Sequence, residues 1–191
     1  WHDRSRHESL IAVSNQEFYN NNLLIFPSPD AGRKEVGLRF HHLADTVYDR
    51  GGSSTNVEEA KLVAQAVMDH ARDYPDMTLG VAAFTVKQTQ VILDQLEMLR
   101  RQNPAHEEFF NSHPHEPFFV KNLETVQGDE RDVIFISIGY GRESNGRIGM
   151  NFGPLNTDGG ERRLNVLITR ARRRCEVFTN LTAEDIDLGR T

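Results

Sequence analysis

The segment Val133-Ile-Phe-Ile-Ser-Ile138 constrains the fold most: five apolar residues in six positions, uncharged, with Arg131-Asp132 before it and Gly139 after it. A run this short and this rich in β-branched and aromatic side chains reads as a strand covered on both faces. Leu79 to Phe84 is apolar almost throughout and reads the same way, and Lys87 to about Arg101 carries Val91, Ile92, Leu96 and Leu99 at the spacing of a covering helix. Apolar strands alternating with helices of about 12 to 16 residues require parallel pairing and right-handed crossovers. The fold class is therefore α/β, three layers with a mostly parallel sheet between helices.

The rest of the chain fills in around that unit. Leu10, Ile11, Val13 and Phe18 give a first helix from Arg4 to about Tyr19, broken by Asn20-Asn21-Asn22. Leu23 to Phe26 is a strand candidate stopped by Pro27-Ser28-Pro29-Asp30, and Leu38 with Phe40 marks another. Asn56, with Glu59 three residues on, starts a helix to about Arg72 whose buried stripe is Ala60, Val63, Ala64 and Val67. A Pro- and His-rich loop (Asn103 to Pro117) leads to a strand at Phe118 to Val120. A Gly-rich connection (Gly139 to Gly160) leads to a helix expected from about Glu161 to Arg173 and a last strand at Cys175 to Thr179. Residues 1–191 read as one domain, with 1–30 an N-terminal helix and connecting arm. The opening at Trp1 and the helix-start pattern Thr182-Ala-Glu-Asp185 near the end suggest a piece of a longer protein.

A net charge of −6 argues against coating nucleic acid by bulk charge, though not against a local basic stripe. One cysteine, Cys175, excludes an internal disulfide framework and thiolate-rich metal sites, and leans toward a reducing, cytoplasmic setting. It reads as a core residue. No apolar run approaches the ~20 residues of a bilayer helix. No known metal-ligand spacing is formed by His106, His113 and His115, so no metal site is expected. Neither G-x-S-x-G nor G-x-x-x-x-G-K-[ST] occurs, so the chain has no phosphate loop and no self-sufficient nucleotide hydrolysis site.

Three constellations stand out. On a helix running to Arg173, Leu164, Leu167, Ile168 and Ala171 form the buried stripe, and Arg163 and Arg170 fall within about 20° of one another beside it, with Arg174 within about 40°. Such an array suits phosphate oxygens, or is simply a solvated basic face. Glu124-Thr-Val-Gln-Gly-Asp-Glu-Arg-Asp132 sets Thr125, Gln127 and Glu130 around Gly128 directly before the buried strand; it is either a ligand-approaching loop or a polar turn. Arg4-Ser-Arg-His7 places cations at a helix start, where an anion between them would help.

In this order and spacing the three resemble the second RecA-like domain of superfamily 1 helicases, in the branch of the nonsense-mediated-decay and related DNA/RNA helicases. Glu161-Arg-Arg-Leu-Asn-Val-Leu-Ile-Thr-Arg-Ala-Arg172 is similar to that family's last motif nearly letter for letter, which implies that Arg170 is an arginine finger and that Arg163 also faces ATP. Thr125-Val-Gln-Gly-Asp-Glu-Arg-Asp132 resembles the motif in which Thr125, Gln127 and Gly128 meet a nucleic-acid strand while Glu130 hydrogen-bonds the nucleotide sugar. By the same resemblance Arg4 contacts the γ-phosphate, and Gln88, or Gln90 in a rival alignment, contacts nucleic acid. ATP and Mg²⁺ would be held mainly by a first RecA-like domain of the same parent chain, and the partner would be single-stranded DNA or RNA. The isolated chain would be inactive as an ATP hydrolase. Asp3 stands where the family has a tyrosine, which favours the rival reading of a non-catalytic RecA-like nucleic-acid or protein binding module. On the helicase reading, Arg4, Glu130 and Arg170 should line one sheet edge.

Overall fold

The computed structural model describes residues 7–23, 35–126 and 128–186. Helix α1 (Ser9–Phe18) is followed by β1 (Gly37–His42), α2 (Val57–Asp73), β2 (Leu79–Ala83), α3 (Val86–Gln102), β3 (Phe119–Asn122), β4 (Arg131–Ser137), α4 (Gly160–Ile168) and β5 (Ala171–Thr179). The strands form one five-stranded sheet in the order β1-β5-β4-β2-β3, and every pairing is parallel. Residues 24–26 of the candidate strand at Leu23 lie outside the described residues.

Each sheet face has its own core. Helices α2 and α3 cover one face, with Val63, Val67, Ile92 and Leu96 packed on Leu79, Val81, Val133 and Phe135. Leu10 of α1 and Leu167 and Ile168 of α4 cover the other, against Ala82, Ile134, Ile136 and Cys175. The three-layer expectation holds. Burial of β2 at every position and of β4 at six of seven explains their lack of alternation. Gly80 lies under the Phe119 ring, where an added Cβ would come within 2.3 Å of the ring carbon, so only glycine lets β3 pair there.

The caps explain the helix starts. The side chain of Asn56 accepts the amide of Glu59 at 3.0 Å, and that of Thr85 accepts the amide of Gln88 at 3.1 Å. Glu59 does not accept the Asn56 backbone amide as a capping box would, since that amide donates to Gln88; the fully buried Glu59 carboxyl instead accepts from Asn56 Nδ2 at 3.5 Å. The loop expected over Asn103 to Pro117 contains a short 3₁₀ helix, Pro104–Asn111.

The main correction falls at the C-terminus. The helix expected to reach Arg173 stops at Ile168, and the strand starts at Ala171 rather than Cys175. Parallel pairing with β4, which sets Ala171 opposite Arg131 and Arg174 opposite Val133, wins over the helix propensity of the Arg-Ala-Arg-Arg-Arg run. Arg163, Arg170 and Arg174 thus share no helical rail.

Candidate nucleotide and strand-binding edges

Arg170 lies in the two-residue turn between α4 and β5, and Glu130 is the residue before β4. Since β4 and β5 are parallel neighbours, both sit at the amino ends of the central strands. A guanidinium nitrogen of Arg170, Nη1, stands 3.5 Å from Glu130 Oε1, with the side chains 17% and 30% exposed. The backbone pins the same corner: the amide of Arg131 donates to the carbonyl of Arg170 at 3.1 Å.

Arg170 is under-satisfied. Its Nε is buried and donates to no atom among the described residues. The same holds for Nε of Arg172 and for Nε and Nη1 of Arg174, but these two have closer carboxylates: Arg172 donates to both oxygens of Glu116 at 2.6 and 2.5 Å, and Arg174 forms an ion pair with Glu176 Oε1 at 2.7 Å. The Arg170 side chain also lines an open cavity of about 450 Å³. Arg162, Arg163 and Glu124 line that cavity with Leu123, Val126 and Val166. Arg163, on α4, donates from Nη1 to Thr157 Oγ1 at 2.7 Å. Among the described residues that line the cavity, three carry guanidiniums and one a carboxylate, with Glu130 beside Arg170. Glu130 also lines a second cavity of about 630 Å³, with Lys121, Asp129, Arg131 and Arg172. The Arg170–Glu130 pair thus stands between the two.

The residues read as strand contacts divide. Thr125 follows the carboxyl end of β3 and is exposed; its amide donates to Asn122 Oδ1 at 3.0 Å and its hydroxyl to the Asn122 carbonyl at 3.2 Å. Gly128 adopts φ +91°, and a Cβ added there would meet no atom, so the backbone conformation, not space, calls for glycine. The segment 123–130 runs from the carboxyl end of β3 to the amino end of β4, so a single stretch joins the two edges of the sheet. Gln127, Arg4 and Asp3 lie outside the described residues.

Gln88, expected as a strand contact, lies in the interior. It is fully buried, its Nε2 donates to the Asn56 carbonyl at 3.0 Å and Ser137 Oγ at 3.2 Å, and its Oε1 accepts the Asn56 amide at 2.9 Å. With its amide engaged in the interior it presents nothing to a ligand; Gln90 is exposed and donates to Asp94 at 2.8 Å. Arg174 is a second correction, since it is 2% exposed behind β5, against Glu176 and over the Tyr74 ring.

Other features were not anticipated. Arg172, Glu116, Asp132 and Thr78 form a clamp at the amino ends of β4 and β5. Glu59 accepts Ser137 Oγ at 2.6 Å and the Gly139 amide at 2.7 Å, and burial pushes its carboxyl up to about 8. His70 Nε2 donates to the Met77 carbonyl at 2.9 Å, and burial pushes its imidazole down to about 4. Apart from His70 and Met77, which are seven residues apart, these partners are far apart in sequence and carry no local signal. Among the described residues no three His, Cys, Asp or Glu side chains converge as metal ligands, and no helix is long and apolar enough to cross a membrane.

The fold is a parallel α/β domain with Arg162, Arg163 and Arg170 around one cavity near its sheet edge and no phosphate-loop motif in its sequence. A family model described as an AAA domain matches residues 4–182, and the chain belongs to that family. It is 36% identical over 191 residues to a protein named uncharacterized ATP-dependent helicase MG140 homolog from Mycoplasma pneumoniae, with 97% of this chain and 16% of the relative covered. It is 35% identical, over the same shares, to the uncharacterized ATP-dependent helicase MG140 of Mycoplasma genitalium. The chain thus spans 16% of the length of the curated relatives it matches. Those names accord with the resemblance to a second helicase motor domain. A solved structure titled as the C-terminal domain of a possible DNA helicase from Lactobacillus plantarum aligns over 92% of this chain and 86% of its own, at 14% identity and a TM-score of 0.41, a likeness too slight to carry an argument.

Proposed function

We propose that this chain is the C-terminal motor domain of an ATP-dependent nucleic-acid helicase or translocase, completing an ATP site whose phosphate loop and Mg²⁺-holding acids belong to another RecA-like lobe of the parent. The observation that carries the reading is the Arg170 corner: a charged, largely buried guanidinium whose Nε meets no acceptor among the described residues, held at the sheet edge beside a cleft lined by two more arginines. When water attacks the γ-phosphorus and the bond to the β–γ bridging oxygen breaks, charge builds on the transferred group and on the departing diphosphate. An arginine reaching in from a second lobe is worth roughly 10³ to 10⁵ in rate at that moment.

In this reading Arg170 is the arginine finger, Arg163 faces the polyphosphate and Glu130 takes the sugar. The γ-phosphate role of Arg4 and the strand contact of Gln127 rest on the resemblance alone. Thr125 and the Gly128 backbone would meet single-stranded DNA or RNA through phosphate and sugar, which makes binding sequence-tolerant and salt-sensitive. Because segment 123–130 joins the Thr125 end to Glu130, opening and closing of the nucleotide cleft would alter the grip on the strand. In the full-length parent, Arg170→Ala should retain ATP binding and lose nucleic-acid-stimulated hydrolysis by about 10³-fold or more. Undiminished turnover would remove the assignment.

A further inference from the structure

We propose that Glu130 is a positioning residue that holds Arg170 in a resting place and hands it over when a nucleotide sugar arrives. This rests on the reading of Arg170 as an arginine finger and goes beyond the sugar contact. The carboxylate already has a partner: Oε1 lies 3.5 Å from Arg170 Nη1, and the pair sits between two cavities, one lined by Arg162, Arg163 and Arg170, the other by Lys121, Asp129, Glu130, Arg131 and Arg172. Polyphosphate suits the first by charge. The sugar then falls toward the second, on the Glu130 side.

The geometry makes the exchange possible. At 3.5 Å the pair is long for a charge-assisted hydrogen bond and both side chains are partly exposed, so the contact orients Arg170 without trapping it. The backbone bond from Arg131 to the Arg170 carbonyl keeps the two residues together through any rearrangement. A vicinal diol donating to Glu130 competes for the carboxylate that the guanidinium uses. Released, Arg170 swings its charge toward the phosphates, with its buried Nε already lacking an acceptor. The ribose hydroxyls thereby act on kcat and not only on affinity.

The experiment uses the full-length parent with ATP and with 2′,3′-dideoxy-ATP, comparing wild type, Glu130→Gln and Arg170→Ala, with thermal unfolding of each as control. Wild type should turn over the dideoxy nucleotide with a kcat lowered about two- to fivefold, the range of one partly exposed ion pair. In Glu130→Gln the two nucleotides should have the same kcat, at or above the wild-type value for dideoxy-ATP, with Arg170→Ala slow on both. If wild type differs between the nucleotides in KM alone, or if Glu130→Gln lowers kcat equally on both, Glu130 is a sugar contact or a structural pair and the proposal is overturned. If Arg170→Ala retains full turnover, it is the arginine-finger reading that fails, whatever Glu130 does.

Discussion

Gln88 pairs with both main-chain groups of Asn56, accepting its amide at 2.9 Å and donating to its carbonyl at 3.0 Å, much as a neighbouring strand would. The remaining hydrogen on Nε2 goes to Ser137 Oγ, whose own proton goes to Glu59 at 2.6 Å. One buried side chain thus ties the starts of α2 and α3 to the carboxyl end of β4.

Gln88→Ala should therefore act on stability. It leaves the Asn56 amide unpaired in the interior, while the Asn56 carbonyl keeps the Ala60 amide at 3.0 Å, so at about 1–3 kcal/mol for an unsatisfied buried group a loss of about 1–3 kcal/mol is expected in urea unfolding of the domain. Single-strand affinity of the folded parent should be unchanged. A selective loss of affinity at unchanged stability would restore Gln88 as a contact.

Arg174→Met tests the strand assignment of the C-terminal arginines. Arg174 faces Glu176, which His41 also meets at 2.6 Å, so truncation leaves a buried carboxylate with part of its compensation gone. Removal of one partner of a buried pair costs about 3–5 kcal/mol, and a value toward the low end is expected because His41 remains. ATP turnover per folded molecule of the parent should stay near wild type, whereas a phosphate contact would make it collapse.

Glu59 gives the domain a defined pH response. Its carboxyl is raised to about 8 by burial, so the folded state holds a proton that the unfolded state releases near 4.5. Its contribution is fully present below 4.5 and fades as pH rises toward 8. His70, lowered to about 4, works oppositely: its contribution is present above 6.5 and lost as pH falls toward 4. The two slopes oppose one another in the acid range, and between 6.5 and 8 only Glu59 acts. Stability should fall across that interval in wild type and stay flat in Glu59→Gln, read by denaturant midpoints at a series of pH values. An unchanged slope in the variant would show that Glu59 is ionised in the fold.

Gly128→Ala should disturb both edges of the sheet together. A side chain at φ +91° costs about 1–2 kcal/mol locally, and the easiest relief is to rearrange the loop that carries Thr125 and Glu130. Labelled single-strand binding by the parent should weaken about fivefold or more, with turnover falling as well. Thr125→Ala should weaken binding alone. Equal effects of both substitutions on turnover would contradict the division of roles along the loop.

Where burial is written as apolar runs, the sequence was readable: β2 and β4 lack alternation because both faces are covered, and Asn56 and the stripe of α2 mark a helix start and a packed face. The α4–β5 boundary was not legible, because β5 buries Arg174 with Glu176 where a strand normally buries aliphatic side chains, and arginine-rich sequence also favours helix. Arg163 and Arg170 nonetheless line one cavity, brought there by the turn after Ile168 and not by helical phase. The interior place of Gln88 was not legible for a related reason: a polar side chain at a strand–helix junction looks the same in sequence whether it faces solvent or replaces a missing strand. The Arg170–Glu130 pair spans forty residues, and only the resemblance pointed to it.

Transition-state affinity tests the central claim most directly. In the full-length parent, binding of a non-hydrolysable ATP analogue and of ADP with aluminium fluoride, a mimic of the phosphoryl group in flight, should be compared between wild type and Arg170→Ala. The account expects affinity for the ATP analogue to hold within about threefold and affinity for the aluminium fluoride complex to fall about 10³-fold, since the guanidinium acts on charge that develops only in transfer. Equal losses for the two ligands, or none for either, would contradict it.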